Sequence, residues 1–132
     1  MDIKTYDARK VDVDVGGIML TGFGEDTMVE CSQDDDTMSA KNDAKGNVGI
    51  TINNKTMGTI KVTLMQTSPS VNYLDKLAKS RKIFPIWVTS NNEIKEVVGG
   101  TKAFVTKPAD KSFGAEVDER QFEIRVTDYT VE

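Results

Sequence analysis

Residues 58–82, GTIKVTLMQTSPSVNYLDKLAKSRK, decide the fold because the hydrophobic period changes once along them. In the first part, Ile60, Val62 and Leu64 alternate with polar residues, which is the period of two expected of a strand with one buried face. From Val71 onward the apolar residues recur at every third or fourth position, the spacing of a helix that buries one stripe. The stretch therefore predicts a strand followed by a helix.

The helix has recognisable signals at its start. Ser68 can accept hydrogen bonds from the free N–H groups of a first turn, and Pro69 suits the first helical position. Leu74 and Leu77 continue the apolar stripe, so we predict a helix over 69–82 that packs on the strand before it. A single strand-to-helix switch defines an architecture and supplies no catalytic chemistry, which favours a role in assembly.

Composition fits one modest domain over residues 1–132. The apolar fraction is 38%, below the ~45–50% typical of soluble domains, and a small core is compatible with stabilisation by neighbouring copies. The chain has 17 basic and 21 acidic residues, which argues against a nucleic-acid clamp. A lone cysteine, Cys31, allows no intramolecular disulfide and fits a reducing compartment. With no signal-peptide pattern or membrane-length apolar run, we expect a soluble protein made in a cytoplasm.

The rest of the chain is predicted to form mainly short strands. We expect a polar arm over 1–10 and a turn at Gly16-Gly17, and we expect Gly99-Gly100 to interrupt the chain between two strands. About eight strands and one helix predict a mainly-β sandwich or barrel with one packed α-helix. The predicted core between sheet and helix consists of Ile60, Val62, Leu64, Leu74, Leu77, Trp87, Phe122 and Ile124.

Residues 33–47, QDDDTMSAKNDAKGN, are predicted to be a long polar loop. The segment is either a mobile excursion or a hairpin ordered by something outside the monomer. Its consecutive acids, Asp34, Asp35 and Asp36, lack the alternate spacing, Gly and Glu of a calcium loop, so we interpret them as a solvated loop tip.

Catalytic chemistry is sparse in this chain. There is no histidine, which removes the usual general base, the commonest metal ligand and any histidine-activated nucleophile. Cys31 is expected to be a small buried or half-buried residue. We therefore expect no enzyme, no cofactor and no metal site.

Several segments together resemble the phage tail tube proteins, a family of short tail structural proteins of long-tailed contractile phages and phage-like particles. Gly16-Gly17 stands where the family commonly has an Asp-Gly turn, which does not alter the resemblance. The likeness spans nearly the whole chain and is carried by residues 6–11, 16–18, 21–23, 58–64, 66–70 with Leu74, 103–105 with 107–108, 113–114 and 122–123.

The resemblance implies that six copies form a ring and that rings stack into a hollow tube. It implies no catalytic residues. The partners it implies are further copies of the chain, sheath, tape-measure and baseplate proteins, and DNA passing through the lumen without specific binding if the particle carries DNA. The protein would be made in the cytoplasm of a bacterial host and end in the tail of a virion or phage-like particle.

Polar faces of the predicted strands give candidate lumen residues, since edges of one subunit could pair with the next to form a large barrel. These strands are 48–53, 58–65 and 121–127, and the same faces could equally meet solvent in a monomer. The candidates are Thr51, Asn53, Thr59, Lys61, Thr63, Gln121, Glu123 and Arg125. For the polar loop we predict contact between rings, with Asp34, Asp35, Asp36, Lys41 and Lys45 as candidates for pairing with the adjacent copy.

Two other functions stay open at this point. One is a tube subunit of a secretion apparatus, with a similar fold and a different cargo. The other is a small standalone binding module in which residues 34–46 hold a ligand. The sequence does not separate a DNA-carrying phage from a headless bacteriocin-like particle, because both use the same kind of tube.

Overall fold

The structure, a computed structural model, describes residues 3–132, so the first two residues of the predicted arm, Met1 and Asp2, lie outside the described residues. Within that range the chain forms one α-helix and ten strands, after a short 3₁₀ turn at Ala8–Lys10. The elements are β1 (Val11–Val15), β2 (Ile18–Met19), β3 (Val29–Gln33), β4 (Met38–Asn42), β5 (Val48–Ile52), β6 (Gly58–Met65), α1 (Pro69–Ser80), β7 (Phe84–Ser90), β8 (Glu96–Val105), β9 (Glu119–Val126) and β10 (Thr130–Val131).

Eight strands form one antiparallel sheet, in the order β2-β1-β7-β8-β9-β6-β3, with β10 paired to β8. The segment after β2, residues 20–24, forms hydrogen bonds both with β1, near one edge of this sheet, and with β6, near the other edge. The amide of Leu20 donates to Val13 of β1, and Gly24 donates to Thr63 of β6 at 3.0 Å. The sheet is thereby closed into a barrel, which confirms the mainly-β fold with one helix. No helix among residues 3–132 is long and apolar enough to cross a membrane.

A single hydrophobic core fills the barrel and extends under the helix. Seven of the eight predicted core residues are buried, including Ile60 and Leu74. Trp87 is the exception, and that prediction is wrong: its neighbours Ile86 and Val88 point inward, so Trp87 lies half-buried on the opposite face of β7. When a strand is apolar on both faces, its sequence does not indicate which face packs against the core.

Gly99 and Gly100 do not interrupt the chain as predicted, because β8 runs through both. The pairing of β7 with β8 shifts register between Phe84 and Ile86, where Pro85 lies. A Cβ atom on Gly99 would collide with the Ile86 carbonyl oxygen, and one on Gly100 would press on Val126. These glycines therefore allow a close approach of backbones at a bulge, which a sequence pattern easily mistakes for a strand break.

The helix begins as predicted and ends two residues earlier, at Ser80. Ser68 caps it by accepting from the Ser70 amide at 3.2 Å, and Arg81 ends it in the left-handed conformation at φ 55°. Ser68 also donates to the Thr21 carbonyl, while the Thr21 amide donates to the Ser70 hydroxyl at 3.0 Å. The start of α1 is thus tied to the segment that closes the barrel.

Candidate assembly surface

Residues 33–47, predicted as a polar loop, contain β4 and lead into β5, and these two strands form a hairpin separate from the barrel sheet. We call β4, β5 and their turn the projecting hairpin. Asp43 organises the turn: its carboxylate accepts from the amides of Lys45 at 2.8 Å and Asn47 at 2.9 Å. The Asn47 side chain also donates to it, and these bonds lower the pKa of Asp43. Turn residues between two alternating stretches were the signal that could have revealed this hairpin.

One face of the projecting hairpin is apolar and uncovered by its own subunit. Directly opposed residues share a face, so Met38 lies beside Ile52, and Ala40 beside Ile50. The exposed fractions of Met38, Val48, Ile50 and Ile52 run from 55% to 68%. An aligned row of large aliphatic side chains in solvent is unusual for a monomer and is typical of an interaction surface.

A small polar network ties the root of the hairpin to the barrel. Asp34 accepts from the Arg125 guanidinium at 2.6 Å and from the Thr59 hydroxyl at 2.8 Å. Its amide donates to the Met57 carbonyl at 3.1 Å. Asp34 therefore lies at the root of the hairpin, engaged within its own subunit, which corrects the prediction of an acidic loop tip. Asp35 and Asp36 follow it and are exposed.

Lys41 and Lys45 are also exposed on the hairpin. Lys41 lies on β4 opposite Gly49, on the face away from the apolar row, and Lys45 lies in the turn. Neither residue forms an ion pair within residues 3–132. The five residues predicted to pair with an adjacent copy thus divide into one that is already paired and four that are available on the surface.

The structure brings six of the eight predicted lumen residues together on the outer face of β6 and β9. They oppose one another in three cross-strand pairs: Thr59 with Arg125, Lys61 with Glu123, and Thr63 with Gln121. Thr59 is largely covered, at 8% exposed, because it lies under the Asp34 network. The remaining two candidates, Thr51 and Asn53, lie in or next to the projecting hairpin and do not share this face.

The outer face of β6 and β9 carries charges of both signs in register. Glu30 of β3 and Glu123 of β9 lie on either side of Lys61. Glu119 and Asp26 line the adjoining concavity together with Gln121. Opposite charges on neighbouring strands favour pairing within the sheet, and the additional carboxylates make the face mildly acidic. Among the described residues of this face, acidic side chains outnumber basic ones, which does not favour binding of a nucleic-acid backbone.

An apolar groove lies at the far end of β6 from the hairpin. Its apolar floor includes Val11, Leu20, Phe23 and Met28. We call it the end groove. Phe23 bridges to Leu64, near the end of β6, whereas the hairpin leaves the sheet beside Gly58, at the start of β6. Sequence reasoning missed this groove because its residues come from separate segments that only the barrel closure brings together.

The single thiol lies on β3, and burial raises the pKa of Cys31 to about 11. Cys31 is therefore protonated near neutral pH, consistent with a packing role. Among residues 3–132 no group of three or more His, Cys, Asp or Glu side chains is arranged to hold a metal ion.

Comparison with known proteins finds similar proteins by structure alone. Neither a protein family nor a curated protein sequence matches this chain. The tube-terminating cap of the anti-feeding prophage matches with a TM-score of 0.68 and 14% identity, over 100% of this chain and 93% of the other. The sheath/tube terminator of the PVC extracellular contractile injection system also has a TM-score of 0.68 and 14% identity, over 97% and 96%.

A third similar chain comes from the sheath-tube complex of the same PVC system, in its extended state. It matches with a TM-score of 0.59 and 11% identity, over 97% of this chain and 91% of that one. All three matches span nearly the full length of both chains, so the likeness covers the barrel, the helix and the hairpin together. This protein therefore has the fold found in tube-terminating and sheath-tube assemblies of contractile injection particles.

Proposed function

We propose that this protein is a structural subunit of the tail of a phage or phage-like particle, and that six copies form a ring that stacks into a tube. The observation that carries the proposal is the full-length likeness in fold to chains of contractile injection particles. Two further features support it: a mixed-charge polar face on the barrel and an apolar hairpin face that its own subunit leaves uncovered.

In this proposal the outer face of β6 and β9 lines the lumen, and the projecting hairpin contacts the next ring. A lumen lined by Lys61, Thr63, Gln121 and Glu123 offers few basic groups to a passing polyanion, so cargo would move without being held. The protein would need no catalytic group for this role. Sheath, tape-measure and baseplate proteins are its proposed partners, in a particle assembled in a bacterial cytoplasm.

A tube-terminating cap is a second candidate, because the two terminator chains match more closely in fold than the chain from the sheath-tube complex. The two roles differ in whether further rings can keep adding to the stack. A tube subunit must present complementary surfaces at both ends, whereas a cap needs only one surface that matches the tube and ends growth there.

Electron microscopy of the purified protein at increasing concentration tests both candidates. Long tubes with six-fold rings are the result expected of a tube subunit. Discrete rings that never elongate, but bind the ends of tubes, would favour the cap. A protein that remains monomeric at high concentration in size-exclusion chromatography, or rings of another symmetry, would overturn the proposed assembly.

A further inference from the structure

We infer that the apolar face of the projecting hairpin of one copy docks in the end groove of a second copy, so that the chain carries both halves of a head-to-tail contact. This inference rests on the proposed function and deepens it by naming the receiving surface. Three observations lead to it: where the two surfaces lie on the barrel, what their side chains are, and which charges border them.

The two surfaces lie at opposite ends of one strand. Gln33, just before the hairpin, pairs with Gly58 at the start of β6, while Gly22 accepts a hydrogen bond from the Met65 amide at its end. Eight strand residues span about 25 Å. Copies translated along this direction therefore bring the hairpin of one towards the groove of the next. A contact between two different surfaces that is repeated by translation, without a closing rotation, extends into an open stack.

Both surfaces present apolar side chains that can pack against each other. The hairpin presents a row of exposed aliphatic side chains, with Ile50 62% and Ile52 68% exposed. The groove has an apolar floor that includes Phe23 and Met28, both only partly covered by their own subunit. Burying the row in this groove would remove from water the apolar area that each subunit leaves exposed.

The bordering charges are also complementary. Arg9 at the groove already forms an ion pair with Asp7 at 3.5 Å, which leaves the carboxylates of Asp12 and Glu25 as the remaining charges along the lining. The hairpin offers Lys45 in its turn, whereas Lys41 lies on the face away from the apolar row and the carboxylate of Asp43 accepts hydrogen bonds within the turn. Docking would therefore place the ammonium group of Lys45 near the two carboxylates of the groove.

Directed cross-linking tests the contact. Cys31→Ser removes the native thiol, and Ile50→Cys with Glu25→Cys then places one thiol on the hairpin and one at the groove. Both native side chains are exposed, so the substitutions leave the core intact. After mild oxidation of assembled protein we expect a ladder of covalent multimers on a non-reducing gel. The matched control, Ile50→Cys with Lys107→Cys, uses an exposed position on another surface and should form no ladder.

Charge exchange gives an independent readout. Lys45→Glu or Glu25→Lys alone should reduce the yield of tubes, and the double variant should recover much of the loss. Tubes that form normally while the Ile50–Glu25 cysteine pair gives no ladder would overturn this inference and leave the proposed function standing. A wild-type chain that never assembles would overturn both. Dimers without higher multimers would indicate a symmetric contact and would also contradict head-to-tail docking.

Discussion

The strands β5 and β6 have the same sequence pattern and opposite surroundings. In both, aliphatic residues alternate with small or polar ones. Ile60, Val62 and Leu64 of β6 are completely buried, whereas Ile50 and Ile52 of β5 are 62% and 68% exposed. Alternation determines which side chains share a face, because successive side chains point to opposite sides of a strand. It does not determine what covers that face, since that depends on which other strands the chain brings near.

The neighbours of the two strands explain the contrast. β6 pairs with β3 on one side and β9 on the other, and its inward face meets the core of the barrel. Among residues 3–132, β5 pairs with β4 alone, in a two-stranded sheet whose ten residues are all exposed. An isolated hairpin of this kind is marginally stable by itself. Its apolar face therefore suits a partner outside the subunit better than it suits the monomer.

The largest expected difference comes from a matched pair of substitutions on these strands. Ile60→Ala should lower the free energy of unfolding by about 2–5 kcal/mol, because it opens a cavity in a close-packed core. Ile50→Ala should change it by less than about 0.5 kcal/mol, because the side chain is already in solvent. Urea unfolding of the unassembled monomer measures both. Similar losses for the two variants would mean that β5 is buried in the monomer after all.

The second-largest effect on the free energy of unfolding is expected at the polar network around Asp34, at the root of the hairpin. Asp34→Ala removes the acceptor shared by Thr59 and Arg125 and leaves the covered threonine hydroxyl without it. We expect a loss of about 1–3 kcal/mol in the free energy of unfolding. Hydrogen exchange should also become faster in the amides of β4 and β5. The control is Asp35→Ala, at an exposed position, which should leave both measurements nearly unchanged. Equal effects of the two substitutions would contradict the assigned role.

A smaller effect is expected at Asp128, in the turn after β9. Its carboxylate accepts from the Thr101 hydroxyl, the Thr101 amide and the Lys102 amide, and these bonds lower the pKa of Asp128. Because the pKa is lower in the folded state, the stabilisation is present above the unfolded-state pKa and is lost as pH falls through the folded value.

Asp128→Asn should therefore cost about 1 kcal/mol at pH 7, and the difference from wild type should shrink below about pH 4. Urea midpoints measured from pH 7 to pH 2 test the sign. A deficit that grows on acidification would contradict the assignment. Asp110 in the loop after β8 provides the control: its side chain is 96% exposed, so Asp110→Asn should leave the urea midpoint at pH 7 nearly unchanged.

The smallest effect on monomer stability should come from removing the projecting hairpin. Replacing residues 36–54 with a short Gly–Ser linker should change the unfolding midpoint little, because these residues contribute nothing to the core. The linker can span the gap, since the retained residues Asp34 and Met57 lie side by side, with the Asp34 amide donating to the Met57 carbonyl at 3.1 Å. Assembly, in contrast, should be strongly impaired, with few or no long tubes in electron micrographs. Normal tubes from this variant would show that the hairpin is dispensable between rings.

Local patterns predicted the elements whose partners are close in the chain. The Ser68 cap, Pro69 and the stripe through Leu74 placed the helix, and the Gly16-Gly17 turn placed the first hairpin. Both glycines adopt positive φ there, at 59° and 88°, which the two-residue turn requires. These features depend on contacts between residues a few positions apart, so the sequence around them carries nearly all of the information.

The candidate assembly surface was harder to predict from the sequence. The polar faces of β6 and β9 were predicted, and their pairing in register is found, whereas Thr51 was assigned to the same surface and lies on the hairpin. The salt bridge between Asp34 and Arg125 joins residues 91 positions apart. No periodicity indicates such a contact, because periodicity describes neighbours along one strand and not partners across the fold.

By itself, the sequence determined the inward side chains of β6 and β9 and the start of the helix, because these follow from local spacing and capping. The tertiary structure decided which alternating strand is buried, that Gly99 lies at a close approach within a strand, and that the backbone bridge of Phe23 to Leu64 places Phe23 in a groove at the opposite end of β6 from the hairpin. Each of these depends on how distant segments pack. Packing is set by the barrel closure as a whole, and no short stretch of sequence contains that information.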